Sequence, residues 1–150
     1  MFADKNLDRS WWALRIGLGL AAFLAGLDKF FNLLTNWEMY LNPLIPRVFH
    51  ISAPAFMHIA GVVEIAVGVL VFTGFTRYAA YIVMAWLLAI SANLVTQGQF
   101  LDIAVRDVEL SVGAFVLAKL TEVREQVAER ETSAEAQSAP AVNRKLERLA

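Results

Sequence analysis

Four stretches of this 150-residue chain read as long and apolar enough to cross a lipid bilayer, and no other feature limits its fold as strongly. A span takes about 20 largely apolar residues at 1.5 Å of rise each. In hydrocarbon every backbone polar group must be satisfied within the segment, so such stretches fold as helices. The windows fall at residues 11–34, 55–75, 78–97 and 101–120. Composition agrees with this reading. Hydrophobic residues make up 58% and charged residues 18%, against roughly 45–50% and 25% in soluble domains. The mean hydropathy is +0.53. A soluble helical bundle buried on every side is the competing reading, but soluble proteins seldom string four such windows together.

Turn residues separate the windows. Asp8 and Ser10 are placed to cap the first helix, which is expected to be retained rather than removed as a leader. The turns around Gly74 and Gly98 are short, and short turns force antiparallel neighbours. The predicted fold is all-α: a four-transmembrane-helix antiparallel bundle over residues 11–120. A short N-terminus, residues 1–10, precedes it, and a helical or flexible tail, residues 121–150, follows. The segment between the first two windows holds Pro43, Pro46 and Pro54 among Trp37, Tyr40 and Phe49. That mixture suits chain lying at the membrane surface better than a re-entrant dip. In the tail, residues 121–131 read as helix running into water, 132–142 as a Ser-, Ala- and Gln-rich linker containing Pro140, and 143–150 as a short basic stretch.

Orientation follows from counting Lys and Arg by side. Lys5, Arg9, Arg77, Lys119, Arg124, Arg130, Arg144, Lys145 and Arg148 fall on one side, and Lys29 and Arg47 on the other, nine against two. Both termini are therefore expected in the cytoplasm, with the protein in a bacterial inner membrane. The net charge of −1 gives no case for nucleic acid. With no Cys there are no disulfides, thiol redox chemistry or thiolate metal sites.

Ionisable groups inside spans are costly and usually face the bundle. Asp28, His58, Asn93, Arg106 and Asp107 come from all four helices and fall at similar depth near the outer side, with Glu64 deeper. Small and charged residues share stripes: Arg15, Gly19, Ala22, Gly26 and Lys29 in the first helix, Gly61, Glu64 and Gly68 in the second, Arg106, Glu109 and Gly113 in the fourth. Two readings follow. One is structural charge pairing among Arg15, Glu64, Arg106 and Glu109, with Arg106 on Asp28 or Glu64 and Arg15 on Glu64. The other is an outward-opening pocket of Asp28, His58, Glu64, Asn93, Arg106 and Asp107, able to hold a quinone head group or small anion. Pairing is the simpler account, because polar residues routinely join membrane helices. His50 and His58 admit haem or chlorophyll ligation only weakly. No metal-binding spacing and no catalytic constellation is found.

These residues resemble the DoxX-like family of small integral membrane proteins. The resemblance lies in Leu14-Arg15-Ile16-Gly17-Leu18-Gly19, Ala25-Gly26-Leu27-Asp28-Lys29-Phe30, Gly61-Val62-Val63-Glu64-Ile65-Ala66-Val67-Gly68, Gly74-Phe75-Thr76-Arg77 and Ala104-Val105-Arg106-Asp107. It implies a four-helix membrane bundle in which Arg15, Glu64, Arg106 and Asp107 occupy the family's charged positions. Some relatives are associated with quinone-linked thiosulfate oxidation and others with membrane assemblies handling oxidative stress. The cysteine chemistry suggested for other relatives is excluded here. The expected function is that of a non-catalytic accessory subunit, packed in the bilayer on other subunits of a respiratory or photosynthetic redox complex. The alternative is a quinone-binding subunit of a membrane oxidoreductase. Solute transport fits less well, since no inverted halves are recognisable.

Overall fold

The computed structural model describes residues 5–147. Every regular element among them is helical: α1 (Lys5–Asp28), a 3₁₀ turn (Trp37–Tyr40), α2 (Leu44–Phe49), α3 (Ala53–Val71), α4 (Thr76–Gln97) and α5 (Leu101–Glu147). Three of these, α1, α3 and α4, are long and apolar enough to cross a membrane. α5 does not join them on that criterion, because Asp102, Arg106, Asp107 and Glu109 crowd its first nine residues and Lys119, Glu122, Arg124 and Glu125 follow.

The four long helices touch in cyclic order, α1 on α3, α3 on α4, α4 on α5 and α5 back on α1. Cross-contacts show that each neighbour runs antiparallel to the next. Arg15 reaches Val71, Trp11 reaches Thr121, Tyr81 reaches Glu122, and Ser91 reaches Ala104. The core joins Trp11, Leu18 and Val71 to Ala79, Ala80, Val83, Ala114, Leu117 and Ala118. Its alanines let α4 and α5 approach closely.

α1 and α3 approach more closely still, and glycine is the reason. A Cβ on Gly26 would lie 2.7 Å from the Gly61 carbonyl oxygen, and one on Gly68 would lie 2.7 Å from the Phe23 nitrogen. The Gly19/Gly26 and Gly61/Gly68 stripes thus face each other, backbone on backbone. The stripe of α5 behaves differently, since a Cβ on Gly113 would meet only the Leu14 Cδ2, at 3.9 Å.

Several helix limits differ from the sequence reading. α1 runs through Asp8 and Ser10 instead of being capped by them. Ser10 donates back to the Asn6 carbonyl, and Asp8 pairs with Arg124 at 2.9 Å. α1 also stops six residues short of Leu34. The Asp28 carboxylate accepts the N–H groups of Leu33 and Leu34, and Asn32 turns into the left-handed region at φ 50°. α3 begins at Ala53, capped by Ser52, whose hydroxyl accepts the Ala55 N–H, with Pro54 in the first turn. It ends at Val71 rather than Phe75. Gly98, at φ 72°, closes α4.

The expected linker at residues 132–142 is helix, part of an α5 that continues to Glu147. Ala, Glu and Gln in that stretch are good helix formers, and the helix runs through Pro140, which lacks an N–H to give to the ladder. Thr132 and Ser133 do not break it, because their hydroxyls donate to the carbonyls of Ala128 and Glu129 four residues back. Residues 148–150 of the basic stretch lie outside the described residues.

The Pro-rich connection is tied onto the end of α4. Asn93 accepts the Asn42 N–H at 3.0 Å and donates to the Tyr40 carbonyl at 2.6 Å. Gln97 donates to the Met39 carbonyl, and the Tyr40 ring stands edge-on to Phe100. At the opposite end, Arg15 caps α3 by donating to the carbonyls of Val71 and Thr73, both at 2.8 Å. It lies over the rings of Trp11 and Trp12. The Trp11 indole donates to Thr121, and Arg77, Tyr81 and Lys119 converge on Glu122. There the Lys119 ammonium, then the Tyr81 hydroxyl, hold the Glu122 carboxyl below its usual range.

The glycine contact predicts a sharp positional effect. Gly61→Val is expected to lower stability by about 1–3 kcal/mol, read as an earlier denaturant midpoint in mild detergent. Gly17→Ala, which meets nothing within 4 Å, is expected to stay within about 0.5 kcal/mol.

Candidate functional site

The close approach of α1 and α3 sets two charges opposite each other in the interior. A side chain on a helix leans toward that helix's N-terminus. Lys29, the residue directly after α1, leans back along that helix, with its ammonium turned toward the Ala25 carbonyl, while Glu64 on the antiparallel α3 leans up to meet it. The Lys29 Nζ lies 2.5 Å from the Glu64 Oε2, and each side chain is about nine-tenths or more buried. The second carboxylate oxygen accepts the indole N–H of Trp86 on α4 at 3.0 Å. One carboxylate thus binds three helices.

The connection after α1 closes this pair from the end. Trp37 places its ring 3.8 Å from the Lys29 Nζ, a cation–π contact, and its indole N–H donates to the Asp28 Oδ2 at 2.7 Å. Asp28 is consequently engaged by Trp37, Leu33 and Leu34 together. Asp107 on α5 is also buried, 4% exposed, and lies within electrostatic reach of Lys29. It accepts Arg106 Nε at 3.1 Å and Nη2 at 3.0 Å.

The pairs expected from sequence do not form. Arg106 turns to its neighbour Asp107 instead of Asp28 or Glu64. Arg15 goes to α3 carbonyls, not Glu64. Glu109 is exposed on α5 and belongs to no ion pair among the described residues. The axial positions explain this: Arg15 sits level with the end of α3 at Val71, two turns from Glu64. Lys29 shares the Arg15 stripe and is the member that lies in reach.

Of the residues grouped as a possible pocket, Asp28, Glu64 and Asp107 are buried around Lys29. Asn93 holds the Pro-rich connection instead. His58 is exposed and stacks on Phe30, rings 5.1 Å apart and 3° from parallel. His50 is exposed at the C-cap of α2. Three site residues escaped the predicted pairs and pocket: Lys29, which lies on the α1 stripe but counts by sequence as an outer-side charge; Trp86, because an aromatic in an apolar helix carries no distinguishing signal; and Trp37, because its interfacial spacing did not reveal that it folds back over Lys29. A shallow groove of about 280 Å³, lined by Leu24, Leu27, Asp28, Phe31, Leu33 and Leu34, opens on the surface of α1 beside the site.

Fold and site together define a small helical membrane protein whose apolar helices are joined through an interior ion pair. The DoxX family model matches residues 10–97, and the chain belongs to the DoxX family. The match includes Lys29, Glu64 and Trp86, and it ends where α4 ends, so the Ala104–Asp107 part of the resemblance falls outside it. No curated protein and no solved structure matches the chain.

Breaking one side of the pair leaves the other charge buried alone. Glu64→Leu is expected to cost about 3–5 kcal/mol, whereas Lys29→Met with Glu64→Leu should recover most of that loss. Thermal melts in detergent check this; equal losses in the single and double variants would show that the pair is not the source of the effect.

Proposed function

We propose that this DoxX family protein is a non-catalytic accessory subunit of a larger membrane redox complex, respiratory or photosynthetic. One observation carries the reading: the interior ion pair of Lys29 and Glu64 joins helices, and both of its members are fully engaged. Lys29 and Trp86 occupy the two oxygens of Glu64, Trp37 covers Lys29, and Asp28 binds Trp37 and the backbone after α1. A group so engaged serves register and shape. The outer faces, by contrast, offer large apolar side chains such as Leu20, Leu24, Val62, Val69, Leu88 and Val95 to lipid or to other subunits.

In this reading α5 is the fourth span, through about residue 120, and completes an antiparallel four-helix bundle. The rest of α5 is a cytoplasmic arm. Lys5, Arg9, Arg77, Lys119 and Arg124 collect at the end where α1 begins, and the excess of basic residues there supports cytoplasmic termini in a bacterial inner membrane.

A quinone-binding subunit is the second reading. It draws on the apolar groove beside Asp28. Neither His58 nor Arg106, the head-group partners it would need, lines that groove.

Purification of the full chain from native membranes in a gentle detergent tests the first reading. The expected result is comigration with subunits of a redox complex at a fixed ratio that survives a salt wash. A chain that purifies without such subunits but with one quinone per chain, lost on Arg106→Gln, would replace it with the second.

A further inference from the structure

The membrane helices differ in what they show to their surroundings. Between Trp12 and Leu27 of α1, along α3, and from Tyr78 onward in α4, no exposed residue is Asp, Glu, Lys or Arg. α5 exposes three in its first nine residues alone: Asp102, Arg106 and Glu109. They stand at i, i+4 and i+7 and so share one flank.

If α5 crosses the bilayer, as proposed above, these three differ in how easily they reach water. Asp102 is in the first turn. Arg106, with a side chain 61% exposed, has a long stem that leans toward the start of the helix. Glu109 has neither advantage. It sits about 12 Å along the axis from Leu101, on a short side chain, with no partner among the described residues. An ionised carboxylate facing lipid at that depth is costly, so such a flank is covered by protein.

We propose that a second copy of this chain covers it, in a two-fold dimer built on the α5 flank. The charge order argues for self-association. The flank reads acid, base, acid, and in a two-fold arrangement each copy offers the other the group it lacks. Arg106 of each copy reaches Glu109 of the other, giving two reciprocal pairs, while Asp102 stays at the water surface. One turn beyond Glu109 the same flank carries Gly113, where a Cβ would meet only Leu14 Cδ2 at 3.9 Å. Gly113 therefore presents no side chain of its own to a second helix approaching there.

The chain has no cysteine, so single thiols report cleanly. Val116 is exposed and lies seven residues from Glu109 on the same flank, while Leu88 is exposed on α4. Full-length Val116→Cys and Leu88→Cys variants are oxidised in native membranes. The expected result is a cross-linked species of twice the chain mass, at least fivefold more abundant for Val116→Cys. Glu109→Arg in the Val116→Cys background should reduce it at least fivefold, and adding Arg106→Glu should restore it. If Arg106→Glu unfolds the chain by stranding Asp107, Glu109→Gln decides, with the same loss of cross-link expected. The proposal is overturned by no excess over Leu88→Cys, by a cross-link to a different polypeptide, or by indifference to Glu109→Arg and Glu109→Gln. A membrane-impermeant thiol reagent applied to the Val116→Cys variant separates the two readings. Labelling of its thiol overturns the spanning of α5 and the dimer with it. A thiol that is shielded from the reagent but does not cross-link overturns the dimer alone.

Discussion

The contact between the backbones of Gly26 and Gly61 is the constraint on which the interior depends. At that separation Lys29 and Glu64 meet directly, with no room for water between them. Removing two charges from water carries a desolvation penalty that their attraction offsets only when geometry is good and the remaining donors and acceptors are matched. Trp86 completes the carboxylate and Trp37 covers the ammonium. A larger residue at either glycine would separate the helices and leave both charges poorly matched. The smallest side chains in the structure therefore determine whether the most polar ones are tolerated.

α1 is fastened at its two ends by different chemistry. At one end Lys29 and Asp28 engage α3 and the connection that follows. At the other, Arg15 satisfies the free carbonyls where α3 stops, and Trp11 and Asp8 reach α5 through Thr121 and Arg124. The first set joins α1 to α3 and, through Trp86, to α4; the second ties it to α5. Between them every long helix has a polar attachment to another. This matters in a membrane, where apolar surface alone gives helices little reason to prefer one another over lipid.

Much of this was readable from the residues. Hydropathy placed α1, α3 and α4, and the glycine stripes marked the faces of α1 and α3 that meet. The partner choice within those stripes was not readable, because it depends on the direction in which side chains lean. Arg15 and Lys29 share a stripe with Glu64 opposite, and only the axial register tells which one reaches it. The end of α1 was hidden for a related reason, since Phe30, Phe31, Leu33 and Leu34 continue the apolar pattern while Asp28 takes the backbone away from it. Residues 132–142 misled through composition: Ser, Ala and Gln suit both linkers and helices, and hydroxyls that bond backward leave the helix intact. The charge count on α5 leaves it outside the three helices that hydropathy marks as long and apolar enough to cross a membrane.

α5 is one uninterrupted helix from Leu101 to Glu147. Its last 27 residues, 121–147, extend about 40 Å past the level of Trp11 at 1.5 Å each. A rod of that length acts as a lever. A tilt of about 5° where α5 meets α1 and α4 would move its far end by roughly 3–4 Å, and a rotation about its axis would turn all the faces of the arm together. Small adjustments in the packing around Thr121 and Glu122 are thereby magnified along the arm as far as Pro140, which cannot donate to the helical ladder and is the natural place for a bend.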